Sequence, residues 1–365
     1  MFLFDARALQ GPQPTGVGHY TKLIAQHLQK TAIAPQLAYL QTGLETNTKL
    51  TPSKQTHTVN IPNKLLNLSL AVLKKPVLSN ISNVPETKLL FLPNINFISG
   101  KTPYVLTIHD LSFIHSPHWY SLKMRIWHKA VHPEKLIKNA AHIIAVSDAT
   151  KADCMRTFNI PEHKITRIYP GIKPITCTHP PLIKNPYILT MGAVEPRKNL
   201  TLLFQAFKEL KKNSQHKKLK LIIAGPLGHK GSEILKTAHS YHIQNDVTYM
   251  GYVSPQTKNN LLTHASVFVY PSLFEGFGFP PLEAMMARTP VVASWTTSLK
   301  EVLGSHALLT HPHKHSELST AIHALLTQPE LRQELVESAY THAQTFTWRH
   351  CAQQTANTLT TAVCT

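Results

Sequence analysis

The chain reads as α/β, with two doubly wound domains, and two features of its apolar pattern predict that class. Short apolar runs of strand length alternate with segments of helical period, and the whole alternation occurs twice, on either side of a proline-rich stretch. Such an alternation predicts parallel sheets covered by helices on both faces.

Taken in order, "MFLF" opens the first half and "TKLIAQHLQK" (21–30) has helical period, while "KLLFL" (88–92), "YVLTI" (104–108) and "HIIAV" (142–146) read as buried strands. Residues 41–61 are polar, Thr-rich and without period, and read as a variable surface loop. Beyond residue 185 come "YILTMG", a helix with Leu200, Leu203, Phe204, Phe207 and Leu210 on one stripe, then "KLIIAG", "VTYMGY", "SVFVY" and "PVVAS". Between the halves, Pro174, Pro180, Pro181 and Pro186 discourage helix and mark a linker. The expected division is a first domain over 1–172, the linker over 173–186, a second domain over 187–345, and a closing helix over 346–365 that returns to the first domain. Ligands in such sheets sit beyond the carboxyl ends of the strands, so a cleft between the two domains is the expected place for one.

At 365 residues and 42% hydrophobic, the chain has enough apolar surface for two cores. The net charge is +18, and residues 1–180 carry 20 Lys+Arg against 8 Asp+Glu where residues 181–365 carry 17 against 11. A basic surface attracts nucleic acid, anionic lipid or phosphorylated small molecules, and charge alone does not choose among them. No apolar run reaches the roughly 18 residues of a membrane span, and Asp5 and Arg7 interrupt "MFLFDARAL" too early for a signal peptide, so a cytoplasmic protein is expected. Cys154, Cys177, Cys351 and Cys364 show no paired spacing and read as reduced thiols.

The chemistry concentrates where strands give way to helices. In "YPSLFEGFGFPPLEAMMA" (270–287), Gly276 and Gly278 allow a tight turn into a helix that Pro280 and Pro281 begin. Since proline has no N–H, donors to a ligand come from Gly276, Phe277, Gly278, Phe279 and Leu282, beside the positive helix end. Glu275 at the strand end and Glu283 in the helix can both accept from hydroxyl groups; a solvated Glu275 and a dipole-favoured Glu283 fit the bare spacing as well. "MGAVEPRKNL" (191–200) sets Arg197 and Lys198 ahead of a helix capped by Asn199, a cationic pair suited to a diphosphate and equally to a solvated turn. "LQGPQPTGVGHY" (9–20) places Gly16 and Gly18 in a phosphate-type turn that lacks the third glycine of a dinucleotide fingerprint. "TIHDLSF" (107–113) puts His109 and Asp110 at a strand end, where a neutral histidine can donate to a hydroxyl or phosphate and where a turn-forming Asp beside a packed His is the plainer reading. With no GxxxxGK[ST] loop and no DxD pair, a diphosphate here would be neutralised by Arg, Lys and main-chain dipoles, and no metal is required. The alternating His311, His313 and His315 read as a solvated turn.

Assembled in order, "DARAL…TGVGHYT", "TIHDLSF", "IIAVSDAT", "IYPGI", "GAVEPRKNL", "IIAGP", "MGYVS", "YPSLFEGFGFPPLEAMMARTPVVAS" and "FTWRHCAQQT" resemble the retaining glycosyltransferases of family 4 over nearly the whole chain. The resemblance implies the GT-B architecture of two Rossmann-like domains, a nucleotide-diphosphate sugar as co-substrate, and no cofactor. It implies that Glu275 and the amides after it hold hydroxyls of the donor sugar and that Glu283 binds the ribose. Arg197 and Lys198 would hold the diphosphate and offset charge on the departing nucleotide, with Gly16 and Gly18 letting the backbone of the first domain close over it. His109 would lie near the sugar, Ser147 and Gly171 on neighbouring loops, and the loops holding Gly225 and Val253 would bind the base through backbone. Many relatives have arginine directly after the glycine of the "MG" turn; here that position is Ala193, and Arg197 is expected to take over its task.

The family implies retention by front-face displacement, with a donor phosphate oxygen taking the acceptor's proton, and domain closure about the linker. Mannose from GDP is the first donor it suggests, with glucose or N-acetylglucosamine from UDP next; the acceptor would be a glycan or a lipid-linked saccharide in polysaccharide or lipopolysaccharide synthesis. Residues 63–75 join a leucine-rich run to lysines, and residues 119–138 mix Trp119, Tyr120 and Trp127 with Lys123, Arg125, Lys129, Lys135 and Lys138, so peripheral contact with an anionic membrane is expected. Rival readings are a sugar-nucleotide epimerase or hydrolase on the same fold, and a basic nucleic-acid-binding protein; the latter leaves the glycine turns and paired acids unexplained, so no nucleic-acid partner is expected.

Overall fold

Parallel strands need crossover connections, and helices supply most of them here. The computed structural model describes residues 1–9, 16–42, 56–59, 61–73, 75, 77–78 and 87–364. Two compact units emerge, the first from Met1–Phe113, Leu122–Gly171 and Thr347–Thr365, the second from Ile114–Ser121 and Ile172–Phe346.

Unit 1 holds β1 (Phe2–Asp5), β2 (Leu37–Thr42), β3 (Thr56–Val59), β4 (Leu89–Leu92), β5 (Tyr104–Ile108), β6 (His142–Ala145) and β7 (Ile165–Arg167), in the sheet order β3-β2-β1-β4-β5-β6-β7. Every neighbouring pair is parallel, as in Phe2↔Leu37 on one side of β1 and Phe2↔Leu89 on the other. The strand order therefore reverses between β1 and β4. Part of the segment read as a loop over 41–61 is strand: β3 pairs with β2 from Tyr39↔Thr56 to Thr42↔Val59. Thr and Val favour the extended backbone, and an edge strand needs no continuous apolar run to declare itself. Residues 43–55 and 60 lie outside the described residues.

Helix α1 (Gly16–Leu28) starts five residues ahead of its expected position, because two glycines at its head obscure the helical period. Helices α2 (Asn63–Val72), α3 (Leu122–Val131) and α4 (Asp148–Phe158) follow in unit 1. Leu66, Leu70, Leu90, Leu92, Phe97, Leu106, Ile137 and Ile143 meet in one core.

Unit 2 holds β8 (Tyr187–Met191), β9 (Lys220–Ala224), β10 (Val247–Tyr249), β11 (Val267–Tyr270), β12 (Val291–Ser294) and β13 (Leu308–Thr310), ordered β10-β9-β8-β11-β12-β13. All pairs are parallel, and the reversal falls between β8 and β11. Helix α5 (Leu200–Lys211) buries the expected stripe of Leu200, Leu203, Phe204, Phe207 and Leu210. After β11 comes α6 (Phe279–Met286), and after β12 comes α7 (Thr297–Leu303).

The proline-rich segment belongs with unit 2 and has a partner there. The buried Asn260 side chain accepts from Leu182 N at 3.1 Å and donates to Pro180 O at 2.8 Å. Residues 114–121 also group with unit 2, where the His115 ring lies 6.0 Å from that of Phe274. The closing helix α8 (Trp348–Cys364) packs on α1 in unit 1, its buried Trp348 ring 5.7 Å from Tyr20 and 6.1 Å from His27. No described helix is long and apolar enough to cross a membrane.

Candidate functional site

The strand tips of unit 2 are laced together by glycines. At Gly192 the chain leaves β8 with φ 141°, its N–H donating to Ala224 O at 3.0 Å. Gly225, at φ 145°, leaves β9 so close that an added Cβ would lie 2.0 Å from Gly192 O; its own N–H donates to Gly251 O at 2.7 Å. Val194 N donates to Pro226 O and Gly228 N to Val194 O, each at 2.9 Å. Gly225, expected to approach a nucleotide base, is thus required first by packing of one loop on the next. Val253, half-buried, lies on the turn beyond β10.

Beside this edge, at the reversal between β8 and β11, four charged side chains converge. Lys198 Nζ donates to Glu275 Oε1 and to Tyr270 OH, each at 2.6 Å. Arg197 Nη1 lies 3.0 Å from Glu275 Oε2 and donates to Phe274 O at 2.9 Å. Its Nε and Nη2 donate to Glu195 Oε1 at 3.2 and 2.8 Å. The expectation of two cations presenting themselves to a diphosphate meets a different arrangement, in which the Arg197 fork faces protein acceptors. Asn199 differs too: it sits at φ 55°, and instead of capping α5 its Nδ2 donates to Pro271 O at 3.1 Å and Pro312 O at 2.8 Å.

The loop before α6 is held on every side. Leu273 N donates to Arg197 O at 2.8 Å and Glu275 N to Thr297 Oγ1 at 2.9 Å, while Ser298 Oγ donates to Glu275 O at 2.8 Å. Thr297 adopts φ 39° to do so, a conformation that such a β-branched residue keeps only where its surroundings impose it. Gly278, at φ 103°, precedes α6 with its Cα 's missing side chain facing Leu299; a Cβ there would meet Leu299 Cδ2 at 2.7 Å.

The turn amides of Gly276, Phe277 and Gly278 lie between Glu275 and α6, which Phe279 opens, and the Phe277 ring is buried against Phe279 and Phe346. Leu282 N donates to Gly278 O at 3.5 Å inside the helix, so it is no donor for a ligand. Glu283, one turn on, pairs through Oε1 with Lys258 Nζ at 2.7 Å.

Burial alone would raise the Glu275 carboxyl, but Arg197 and then Lys198 outweigh it and hold the group at about 2. Lys198 is lowered by burial and by Arg197, with Glu275 opposing, and the Tyr270 phenol is pushed well up by burial. The site therefore holds an ionised carboxylate against a lysine whose charge Glu275 supports and burial and Arg197 oppose.

Unit 1 carries its expected residues at the tips of β5 and β6. His109 Nε2 donates to Pro93 O at 2.9 Å, which fixes the tautomer because a carbonyl can only accept. Burial keeps the ring below its usual range despite Pro93 and Asp110, so it stays neutral with Nδ1 as an acceptor, not the donor expected from the sequence. Asp110 Oδ1 accepts from Ser112 N at 2.9 Å and Ser112 Oγ at 2.5 Å, the turn-forming role. Ser147 is buried and caps α4, accepting from Thr150 N at 3.0 Å. Gly171 is a packing glycine: a Cβ would lie 2.1 Å from Trp348 N. Gly16 and Gly18 occupy the first turn of α1, and residues 10–15 before them lie outside the described residues.

Sequence reasoning missed Glu195, Tyr270, Thr297 and Lys258. Glu195 stands two residues before Arg197 and could have been read as its partner; Lys258 lies 25 residues from Glu283 on another helix and left no local signal. Among the described residues no three His, Cys, Asp or Glu side chains gather as a metal site, the His311–His315 turn included.

Comparison with known proteins finds the family Glycosyl transferases group 1 over residues 180–342 and Glycosyltransferase Family 4 over residues 87–174. The O-antigen chain mannosyltransferase B of Escherichia coli is 32% identical over 266 residues, which is 69% of this chain and 69% of that protein. O-antigen chain mannosyltransferase RfbU of Salmonella typhimurium is 28% identical over 217 residues, covering 60% of this chain and 59% of its own length. Among solved structures, HepE of Anabaena in complex with UDP and glucose matches with a TM-score of 0.72 over 99% of both chains at 19% identity. That likeness is one of fold, two Rossmann-like units of the GT-B class.

Proposed function

We propose, from the premise that this chain belongs to glycosyltransferase family 4, the group 1 glycosyl transferases, that it moves a hexosyl group from a nucleoside diphosphate sugar to a glycan or lipid-linked acceptor in polysaccharide synthesis. The names of the E. coli and Salmonella relatives favour mannose as the sugar and O-antigen-type chains as the product. The UDP and glucose bound by HepE favour a nucleotide-linked donor. The observation that carries the reading is the little-exposed Lys198–Glu275 pair at the β8/β11 reversal, with Glu275 just ahead of the glycine turn into α6.

Within unit 2 each residue then has a task. Glu275, held ionised, accepts hydrogen bonds from neighbouring hydroxyls of the sugar, and its carboxylate favours positive charge as it develops at the anomeric carbon. Lys198 has three N–H donors and two protein acceptors, so one donor remains for the leaving diphosphate. Glu283 accepts from the ribose hydroxyls. In the proposed reaction the bond from the anomeric carbon to the diphosphate oxygen breaks while the acceptor oxygen bonds to the same face. The acceptor's proton passes to a phosphate oxygen of the departing nucleotide, and configuration is retained. Lys198 and the helix end supply positive charge at the leaving group, so turnover is expected to survive a chelator. His109 Nδ1 in unit 1 accepts from a substrate hydroxyl.

Exposed apolar side chains of unit 1 favour a lipid-linked acceptor. Leu65, Leu68 and Leu73 on and just after α2, and Leu122 and Ile126 on α3, are 58 to 68% exposed. Both helices are anchored at Phe97: Arg7 Nη1 donates to Asn67 Oδ1 on α2 at 3.1 Å, Arg7 Nη2 donates to Phe97 O at 2.8 Å, and the Phe97 ring lies 6.0 Å from Trp127 on α3. Trp127, expected to face the membrane, packs on the core instead. Lys64, Lys123, Arg125 and Lys129 accompany the exposed apolar residues, which suits an anionic bilayer surface.

Incubation with UDP- and GDP-linked hexoses tests the reading. Thermal stabilisation by one nucleotide series, with transfer to a lipid-linked acceptor, is expected. A new sugar formed without acceptor would instead identify an epimerase, and stoichiometric hydrolysis a hydrolase. Sedimentation with phosphatidylglycerol vesicles, but not phosphatidylcholine vesicles, is expected, and binding that persists after Lys123, Arg125 and Lys129 become Gln would contradict the membrane role.

A further inference from the structure

The arginine beside the site lysine has a different geometry from that lysine. Arg197 has a protein acceptor on each of its three side-chain nitrogens, two on Glu195 Oε1 and the third shared between Phe274 O and Glu275 Oε2. Its main-chain carbonyl accepts from Leu273 N as well. Side chain and backbone of one residue therefore grip both ends of the 273–275 loop. The side chains of Arg197, Glu195 and Glu275 are only 16, 20 and 9% exposed, so these charge-assisted bonds are little weakened by water.

We propose that Glu195 and Arg197 form a positioning clamp that fixes the Glu275 carboxylate, so that Arg197 is no ligand of the diphosphate already assigned to Lys198. The inference rests on the function proposed above. Charge balance supports the division of labour: two cations and two carboxylates share the site, and Glu195 offsets Arg197 without touching Lys198 or Glu275 in any bond described here. Geometry supports it further. A planar guanidinium bridges a carboxylate, a carbonyl and a second carboxylate with a rigid fork of donors, whereas an ammonium brings three rotatable donors from one atom on a flexible stem. The clamp also explains how Glu275 stays oriented with Thr297 at a positive φ: Arg197 holds the loop from the β8 side while Thr297 and Ser298 hold it from the α7 side.

The test compares Glu195→Gln, Arg197→Lys and Lys198→Ala in the full chain, reading kcat and KM for transfer together with Kd for UDP and GDP. The clamp predicts that Glu195→Gln and Arg197→Lys lower kcat by about ten- to a hundredfold while the nucleotide Kd stays within about threefold, whereas Lys198→Ala weakens nucleotide binding by about tenfold or more. Nucleotide binding weakened as much by Arg197→Lys as by Lys198→Ala would make Arg197 a diphosphate ligand and overturn the proposal. So would tighter nucleotide binding with unchanged kcat in Glu195→Gln, since Glu195 would then merely mask a ligand. Amide hydrogen exchange at Leu273 and Glu275 reads the clamp even if the wild type neither binds nor transfers, which would count against the proposed function alone. Faster exchange at both amides in Glu195→Gln and Arg197→Lys, with the β8 core amides unchanged, is expected; unchanged exchange refutes the clamp.

Discussion

Replacing Glu275 by Gln keeps the side chain's shape and removes its charge, leaving Arg197 and Lys198 with one counter-charge fewer in a site where they are 16 and 12% exposed. The carboxyl titrates at about 2 instead of its ordinary 4.5. At 1.36 kcal/mol per tenfold, that difference corresponds to about 3 kcal/mol of stability. Because the folded value is the lower one, the contribution is fully present above 4.5 and is lost as pH falls toward 2. Linkage leaves about 2 kcal/mol of it at pH 3.5, so the gap between wild type and Glu275→Gln should narrow by about 1 kcal/mol between pH 7 and pH 3.5. Denaturant titrations read by hydrogen exchange in the β8 and β11 peptides isolate unit 2 from unit 1, whose unfolding need not coincide. A gap of equal size at both pH values, or one that widens in acid, would refute the assignment of Glu275 as the ionised partner of Arg197 and Lys198.

Gly225→Ala drives a Cβ to within 2.0 Å of Gly192 O at a backbone φ of 145°, and should destabilise unit 2 by more than ~2 kcal/mol in denaturant titrations. Ser147→Ala removes the α4 cap and should cost about 1 kcal/mol in unit 1 while leaving nucleotide affinity unchanged. Glu283→Gln should raise the donor KM by about tenfold with little change in kcat, because a ribose contact is equally present in ground and transition states. Turnover in excess EDTA should match turnover with added Mg²⁺, as measured by release of nucleotide diphosphate.

The two-sheet architecture was legible because parallel strands buried on both faces read as near-continuous apolar runs, as β4 and β11 do and as β5 and β8 do apart from Thr107 and Thr190. β3 was not, since an edge strand written Thr-His-Thr-Val carries no such run. The site's location was legible for a related reason: Glu275, Arg197 and Lys198 follow strands, and strand ends converge in any doubly wound sheet. Partnership was harder to read. Whether Arg197 faces a ligand or Glu195 depends on rotamers and on the Phe274 carbonyl 77 residues away. His109 offers the same lesson, because its donor role was lost to Pro93 O, a main-chain acceptor 16 residues earlier that has no side-chain signature.

Glu275→Ala, assayed for hexosyl transfer and for UDP and GDP affinity on the same preparation, probes most directly whether unit 2 recognises a sugar nucleotide through this carboxylate. Transfer should disappear while the affinity for the preferred nucleotide stays within about tenfold of wild type. Undiminished transfer by the variant, or a wild-type protein that binds neither nucleotide, would contradict the account.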